Sequence, residues 1–272
     1  MLTNDVPWAG NFYDPALFDA GAGDSDSTAT VSHYRAQLAD AARHVADIGC
    51  GTGRIALPLI DDGHRVYGVD TSETMLAHLR RKAESLPRAV RGRLDWQHGD
   101  VLDMAPPEPF DALIAADDFV SHFNVRLLER FFQVAHAWLK PDGLLLADLR
   151  VRDAGRLAAA AAGFPKPMMS YGLTEGVRTE DGMRHAAMMG WEEYDPVSSR
   201  LVSHQLYSFI DADGREAQRV WKTIVQYNHS NAVLIGAAEL AGFALESAAG
   251  RAGGGALGDQ GGYFRLRRRR AA

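Results

Sequence analysis

Short apolar runs alternate with amphipathic helical patterns through the first half of the chain. The strand-like runs cover residues 44–48, 65–69, 94–98, 111–116 and 144–149. Residues 125–139 follow a helical period instead, with Leu128, Phe131, Phe132 and Ala135 on one face. Strands that alternate with helices predict an α/β domain with a doubly wound (Rossmann-like), mostly parallel sheet. Pro141-Asp142-Gly143 predicts a turn ahead of the fifth strand.

The pattern changes after residue 150. Three longer strand-like runs follow, at 184–194, 200–210 and 215–227, and Asp211-Ala212-Asp213-Gly214 predicts a turn between the last two. We interpret them as an antiparallel β meander inserted into the α/β domain. A helix over 231–242 and strands at 244–248 and 262–266 would complete a seven-stranded sheet. The predicted organisation is a helical cap at 1–43, a main domain of 44–150 with 231–272, and an inserted subdomain at 151–230.

Composition narrows the class of protein. The 272 residues are 46% hydrophobic and carry a net charge of −6, so no overall basic field favours nucleic acid. Cys50 is the single cysteine, which excludes an internal disulfide and suits a reducing cytoplasm. No run reaches the about 18 apolar residues that a membrane-spanning helix needs. We therefore expect a cytoplasmic protein with neither a nucleic acid nor a membrane as partner.

The most informative motif joins the first strand to the first helix. Residues 45–53 read Val-Ala-Asp-Ile-Gly-Cys-Gly-Thr-Gly, and a helical pattern follows. Glycines in such a turn supply positive φ and let a ligand approach the backbone. Their spacing is G-x-G-x-G, whereas the dinucleotide fingerprint would need a glycine at Arg54. The motif thus predicts a ligand site, but not one for a dinucleotide.

Acidic residues stand at or near the ends of the first four strands. They are Asp47, Asp70, Asp100, and the pair Asp117 and Asp118. Ligands of open α/β sheets bind beyond the carboxyl ends of the strands. A carboxylate after the second strand can accept bonds from both ribose hydroxyls, and Asp100 could accept from an adenine amine. A helix cap or a turn explains any single aspartate equally well, but the set with the glycine turn favours an adenosine ligand.

With these motifs the chain resembles a class I S-adenosylmethionine-dependent methyltransferase. The matching segments, in the order of that family, are residues 45–53, 68–76, 99–101, 110–113 and 139–145. The resemblance implies S-adenosyl-L-methionine as cofactor, S-adenosyl-L-homocysteine as product, and no metal. It assigns the methionine portion to the glycine turn and Asp117, the ribose to Asp70, and the adenine to Met75, Asp100 and Val101. The full set of implied cofactor contacts is Tyr13, Tyr34, Asp47, Gly49, Gly51, Gly53, Asp70, Thr71, Met75, Asp100, Val101 and Asp117.

The acceptor side is less explicit. Small-molecule methyltransferases of this type often carry an antiparallel insertion, which implies that 151–230 is a substrate lid or a homodimer contact. His122 follows the fourth strand and is the preferred general base, although a structural or substrate-shaping histidine explains it equally well. His204 and His229 are weaker candidates. A metal site at Asp117, Asp118 and Asp148 is a further alternative, but cofactor binding and turns already explain acids at strand ends.

The leading hypothesis is methyl transfer to an N or O atom of a small molecule in specialised metabolism. The first alternative is a protein or RNA methyltransferase. The second is a cofactor-binding protein of this fold with a role other than methyl transfer. The sequence does not identify the acceptor. Aromatic residues of the insertion would fit a pocket wall, a core or a dimer contact; they are Trp191, Tyr194, Tyr207, Trp221 and Tyr227.

Overall fold

The computed structural model describes residues 8–9, 14–20, 27–40, 43–179 and 182–270. The chain divides into two compact units, Met1–Ser25 with Arg152–Asn228, and Asp26–Val151 with His229–Ala272. The strands are β1 (Trp8–Ala9), β2 (His44–Ile48), β3 (Arg65–Asp70), β4 (Leu94–His98), β5 (Phe110–Ala115), β6 (Leu139–Leu149), β7 (Met169–Thr179), β8 (Gly182–Asp195), β9 (Arg200–Ile210), β10 (Glu216–Tyr227), β11 (Phe243–Ala249) and β12 (Gly262–Arg268). The α-helices are α1 (Pro15–Asp19), α2 (Ser27–Leu38), α3 (Ala56–Asp61), α4 (Glu73–Glu84), α5 (Arg88–Arg91), α6 (Val125–Trp138), α7 (Ala154–Ala161) and α8 (Asn231–Leu240). Short 3-10 helices span Val101–Asp103 and Phe119–His122.

The larger unit is built on a seven-stranded sheet in the order β11-β12-β6-β5-β2-β3-β4. Strands β2 to β6 pair in parallel, whereas β12 is antiparallel to both β6 and β11. Short buried apolar strands separated by helices produce this arrangement, because each parallel pair needs a crossover. The predicted doubly wound, mostly parallel sheet is confirmed.

Helices cover both faces of that sheet. Ala46 and Ile48 of β2 pack in a core with α6 and α8, which includes the fully buried Phe131. Val45, on the opposite side of β2, packs in a second core with α2, α3 and α4. Since neighbouring residues of a strand point to opposite faces, the apolar residues of β2 supply both cores.

Side-chain caps set the beginnings of the helices that border the site. Ser72 Oγ accepts a hydrogen bond from the Met75 N–H at the start of α4, and Asn124 Oδ1 accepts from the Leu127 N–H at the start of α6. Caps of this type contribute about 1 kcal/mol each. The helix predicted at 125–139 therefore begins at its expected residue.

Several predicted boundaries are corrected. The turn predicted at Pro141-Asp142-Gly143 lies inside β6, where Asp142 has φ 62° and the pairing register with β5 shifts. The predicted N-terminal cap does not form one unit, because α1 belongs with the smaller unit and α2 with the larger. The last helix of the predicted cap, α2, ends at Leu38.

The smaller unit contains a five-stranded sheet in the order β1-β10-β9-β8-β7. Strands β7 to β10 form an antiparallel meander, and β1 adds in parallel to β10. The predicted meander had three strands, so β7 and β1 are additions. Leu17 of α1 packs with Tyr207, Phe209 and Val220 in the core of this unit.

Among the described residues, no helix has the length and apolar character required to span a membrane.

Candidate functional site

The turn after β2 is held open by its glycines. Gly49, Gly51 and Gly53 have φ of 72°, 53° and 82°. The N–H groups of Gly49 and Cys50 both donate to the carbonyl oxygen of Val69 on β3, at 2.7 and 3.1 Å. A side chain at Gly49 would place its Cβ 2.6 Å from the Phe119 ring. The backbone of this turn therefore stays bare at the carboxyl end of the sheet, where a ligand can approach it.

Asp70, the last residue of β3, ties the glycine turn to α4. Its Oδ2 accepts the N–H of Gly51 at 2.8 Å, and its Oδ1 accepts the N–H of Ser72 at 2.7 Å. Burial raises the pKa of the Asp70 carboxyl. A carboxylate offers about four lone-pair sites, so Asp70 can hold both turns and still accept hydrogen bonds from ligand hydroxyls.

Met75 lies beside the same turn. It is 4% exposed on α4, and a Cβ built on Gly51 would lie 3.2 Å from Met75 Cε and 4.0 Å from Asp70 Oδ2. The structure thus brings together the glycine turn, the predicted ribose ligand and the predicted adenine neighbour. Met75 is also a core residue of an amphipathic helix, so its burial by itself fits either role.

The ends of β3 and β4 are joined next to this group. His98 Nε2 lies 3.0 Å from the carbonyl oxygen of Thr71. Asp100 is exposed, and its Oδ1 accepts the N–H of Leu102 at 2.9 Å as the cap of a 3-10 helix. Val101, which follows, is 3% exposed. The cap leaves the second carboxylate oxygen of Asp100 directed at other donors.

Two buried carboxylate oxygens near the glycine turn have no hydrogen-bond partner within the described residues. They are Asp47 Oδ2 and Asp117 Oδ1. Asp47 is 2% exposed, and burial, followed by the charges of Asp117 and Asp70, raises its pKa to about 7. The other oxygen of Asp117 forms an ion pair with Arg54. Because buried polar atoms are normally satisfied, these oxygens fit a ligand that brings a hydrogen-bond donor or a cationic group.

The residues after β5 form a rigid segment, Asp117–Phe123, called here the β5–α6 segment. Asp117 and Asp118 are both left-handed, with φ of 61° and 63°. Their N–H groups donate to Asp148 Oδ1 and Oδ2 at 2.9 and 2.8 Å. The segment continues as the 3-10 helix Phe119–His122, and the candidate base His122 is exposed at its last residue.

The other predicted residues have different surroundings. Tyr34 is 1% exposed, and its hydroxyl donates to Asp148. His229 is buried with Nε2 2.7 Å from the Phe123 carbonyl oxygen, and burial lowers its pKa. His204 belongs to the smaller unit, where it stacks on Trp191 with ring centroids 4.9 Å apart. Tyr13 lies outside the described residues.

The metal alternative finds little support in the geometry. Within the described residues, no group of three or more His, Cys, Asp or Glu side chains is arranged to hold a metal ion. Asp118 and Asp148 direct their oxygens at backbone N–H groups instead, as Asp118 Oδ1 does with the Arg150 N–H at 2.9 Å. Cys50 is buried, and burial raises the pKa of its thiol, which fits a core residue.

Sequence reasoning overlooked two contacts of this site. Arg54 was considered only as a departure from the dinucleotide fingerprint, yet it pairs with Asp117. Asp148 was considered only as a metal ligand, yet it binds Tyr34 and two backbone N–H groups. The available signal for Asp148 is an acid near the end of the fifth predicted strand, because acids at the ends of the first four strands predict contacts of the site.

Known sequences match part of the chain. Residues 45–143 match a family model described as a methyltransferase domain. A putative methyltransferase of Geobacillus sp. (strain WCH70) is 32% identical over 109 residues, which cover 40% of this chain and 42% of that protein. The chain therefore aligns with less than half the length of this curated relative.

Solved structures resemble almost the whole chain. The sugar N-methyltransferase KedS8 from Streptoalloteichus sp. matches with a TM-score of 0.71 and 19% identity, covering 99% of each chain. S-adenosylmethionine-bound CalS10 from Micromonospora echinaspora, described as an amino pentose methyltransferase, matches with a TM-score of 0.63 and 21% identity, covering 96% of this chain and 99% of that one. At these identities the likeness shows the fold, including the inserted antiparallel sheet.

Proposed function

We propose that the chain, whose residues 45–143 match a methyltransferase domain, is an S-adenosylmethionine-dependent methyltransferase that transfers a methyl group to an N or O atom of a small molecule. The observation that carries this proposal is the cradle formed by Gly51 and Asp70, with the unpaired oxygen of Asp47 nearby. The cradle combines a bare backbone turn with acceptors for hydroxyl and cationic groups. S-adenosylmethionine presents both kinds of group, since it has ribose hydroxyls, an ammonium and a sulfonium.

The residues that would hold the cofactor follow from their positions. Asp70 would accept the two ribose hydroxyls, while Met75 and Asp100 would contact the adenine ring and its amine. The glycine turn would run along the methionine portion. The ammonium group would donate hydrogen bonds to the oxygens of Asp47 and Asp117 that have no partner among the described residues. Thr71 would lie beside the ribose.

Methyl transfer needs alignment more than charge stabilisation. The cofactor supplies an activated methyl group on a positively charged sulfur. With the cofactor bound, the acceptor N or O would form the new bond to the methyl carbon, and the electron pair of the broken carbon–sulfur bond would stay on sulfur. Positive charge disperses in this step, so holding the reactants in line and excluding water can provide most of the rate enhancement.

The acceptor must also lose a proton. His122 is the proposed base, because it ends the short helix that begins beside the glycine turn and because histidine accepts protons near neutral pH. The proton moves from the acceptor N–H or O–H to the imidazole. His229 does not fit this role as well, since its Nε2 is engaged with the Phe123 carbonyl oxygen.

The class of acceptor is supported by the structural neighbours. KedS8 is described as acting on a sugar nitrogen and CalS10 on an amino pentose, in calicheamicin biosynthesis. We propose the same broad class here, a small molecule of specialised metabolism, with an amine as the first acceptor to try. The net charge of −6 disfavours a polyanionic acceptor such as RNA. The roles of the insertion as lid or dimer contact, and the cytoplasmic location, stay predictions.

Removing the Asp70 carboxylate tests the cofactor site. We expect Asp70→Ala to bind S-adenosylhomocysteine at least about 100-fold more weakly, because two hydrogen bonds to a charged acceptor are worth about 3 kcal/mol or more. Titration calorimetry with the purified protein measures this. Asp61→Ala, an exposed aspartate at the end of α3, is the matched control and should bind like the wild type.

The reaction itself is tested with S-adenosylmethionine labelled in the methyl group. We expect label to enter one class within a panel of amino sugars, amines, alcohols and phenols. Incorporation into RNA or protein alone would indicate a protein or RNA methyltransferase. Cofactor binding without turnover on any acceptor would indicate a cofactor-binding protein with a role other than methyl transfer. Unchanged binding by Asp70→Ala would remove the proposed cofactor site.

A further inference from the structure

The β5–α6 segment has a backbone shape that needs support from outside itself. Asp117 and Asp118 are consecutive non-glycine residues with φ of 61° and 63°. Side chains disfavour the left-handed region, so two such residues in a row persist only where surrounding contacts fix them. The segment also carries the candidate base His122 and, at Asp117, a candidate cofactor contact.

We propose that Tyr34 and Asp148 are positioning residues that hold the β5–α6 segment in its reactive shape. This inference rests on the proposed function, because it concerns how the same site is organised. It also gives Tyr34 a different role from the cofactor contact that the sequence suggested.

Asp148 provides the direct support. It ends the apolar run of β6 and is 7% exposed. Each of its oxygens accepts the N–H of one left-handed residue, Asp117 at 2.9 Å and Asp118 at 2.8 Å. A carboxylate that spans two successive N–H groups fixes the peptide plane between them. Hydrogen bonds to an ionised acceptor are about twice as strong as neutral ones, so this pair is well suited to maintain the strained backbone.

Tyr34 supports Asp148 from α2. Its hydroxyl donates to Asp148 Oδ1, the oxygen that also binds the Asp117 N–H. The Tyr34 ring is packed in the core with Leu38 and Val45, so the hydroxyl has little freedom to turn away. The second core thereby fixes the orientation of the Asp148 carboxylate.

Further contacts hold the rest of the segment. Asp118 accepts from the Arg150 N–H at 2.9 Å and from the Ser121 hydroxyl at 3.0 Å. His229 contacts the Phe123 carbonyl oxygen at 2.7 Å. His122 thus stands between two braced residues, and a change at Asp148 would be transmitted to it through a short stretch of backbone.

The titration of Asp148 gives this arrangement a spectroscopic signature. The pKa of Asp148 is raised to about 7, chiefly by burial; the Tyr34 hydroxyl lowers the pKa, and the charges of Asp117 and Asp118 raise it. The other charged or titratable groups around the cluster are Arg54 on Asp117, His229 near Asp118, and Tyr263, the partner of Asp148 on β12. A protonated Asp148 carboxyl is a weaker acceptor than the carboxylate, so both N–H bonds weaken when it takes up a proton. These bonds therefore reach full strength only as the pH rises through about 7.

The amide proton resonances and the affinity for S-adenosylhomocysteine, both measured on the whole chain, test the proposal. We expect the amide protons of Asp117 and Asp118 in the ligand-free wild type to shift downfield together as pH rises through about 7. Asp148→Asn should abolish this titration, because its amide group turns a donor towards one N–H. Tyr34→Phe should keep the titration and move its midpoint to higher pH, because the hydroxyl that lowers the Asp148 pKa is gone.

Matched variants separate positioning from general stability. Tyr67→Phe removes another buried tyrosine hydroxyl, which donates to Gln97, and should leave the resonances of Asp117 and Asp118 unchanged. Asp47→Asn removes the other carboxyl whose pKa is raised to about 7, and should leave the titration in place. At pH 8 we expect S-adenosylhomocysteine to bind Asp148→Asn about tenfold more weakly, and Tyr67→Phe to bind it normally.

Two results would overturn the inference. One is that the amide protons of Asp117 and Asp118 show no common titration in the wild type, or that their common titration persists in Asp148→Asn. The other is a Tyr34→Phe protein with an unchanged midpoint together with an Asp148→Asn protein of unchanged affinity. The resonances are recorded without ligand, so they test the positioning role of Tyr34 and Asp148 even if S-adenosylhomocysteine does not bind. A complete lack of S-adenosylhomocysteine binding by the wild type would contradict the proposed function instead.

Discussion

At the scale of single residues, the site depends on glycines, which leave space beside the backbone, as much as on its larger side chains. Gly49 leaves the space in which the Phe119 ring lies, and Phe119 begins the short helix that ends at His122. The Phe119 ring therefore lies against the bare turn, at the start of the short helix that carries the candidate base. A methyl group at position 49 would displace this ring.

Gly49→Ala tests this contact. The new Cβ would lie 2.6 Å from Phe119 at a residue with φ 72°, so strain and overpacking should add. We expect a loss of about 2–4 kcal/mol in the free energy of unfolding, measured by urea denaturation. Gly63→Ala is the matched control, because its φ is 95° and nothing lies within 4 Å of its Cβ. It should cost only about 1 kcal/mol. Equal losses in the two variants would show that Phe119 does not occupy the space.

At the scale of secondary structure elements, a partly buried ion pair joins a helix to a sheet. Arg156 of α7 contacts Glu192 of β8 through both oxygens, with Nε and Nη2 at 2.7 and 2.6 Å. Ser203 of β9 donates to the same carboxylate at 2.8 Å. Glu192 is 5% exposed, and burying a carboxylate is costly unless partners such as these satisfy it. The smaller unit thus attaches α7 to its meander through polar contacts.

Arg156→Ala removes the main partner of a buried carboxylate. We expect it to lower the free energy of unfolding by about 1–3 kcal/mol, less than for a fully buried pair because the Arg156 side chain is partly exposed. Arg219→Ala breaks a solvent-accessible pair with Glu216 three residues away, and should cost less than about 1 kcal/mol. The comparison is made by urea unfolding. A cost for Arg156→Ala no larger than for Arg219→Ala would show that the pair does not hold α7.

Elements with local signals were predictable from the sequence, and elements that depend on distant pairing were not. The glycine turn, the Ser72 cap and Asp70 all lie within short segments whose chemistry is visible in order. Strand β7 contains two glycines, which interrupt its alternation, and β1 has two residues, so its pairing with β10 leaves no pattern. The contact of Tyr34 with Asp148 joins residues far apart in the chain, and no local pattern announces it.

At the scale of the whole molecule, the chain combines two units that each have their own sheet and core. The larger unit contains the glycine turn, Asp70 and the β5–α6 segment, so every described cofactor candidate belongs to one body. Its sheet could be predicted because five of the seven strands pair in parallel and come from short strand-like runs that alternate with helical patterns. The acceptor could not be predicted, because no local motif of the insertion encodes the shape of a small molecule.

The most direct test of the central claim is a crystal structure of the protein with S-adenosylhomocysteine. The account predicts electron density for the ligand along the glycine turn, with both ribose hydroxyls within hydrogen-bond distance of the Asp70 carboxylate. It also predicts the ligand ammonium near the oxygens of Asp47 and Asp117 that have no partner among the described residues. Ligand density at another place, or a ribose that does not contact Asp70, would contradict it.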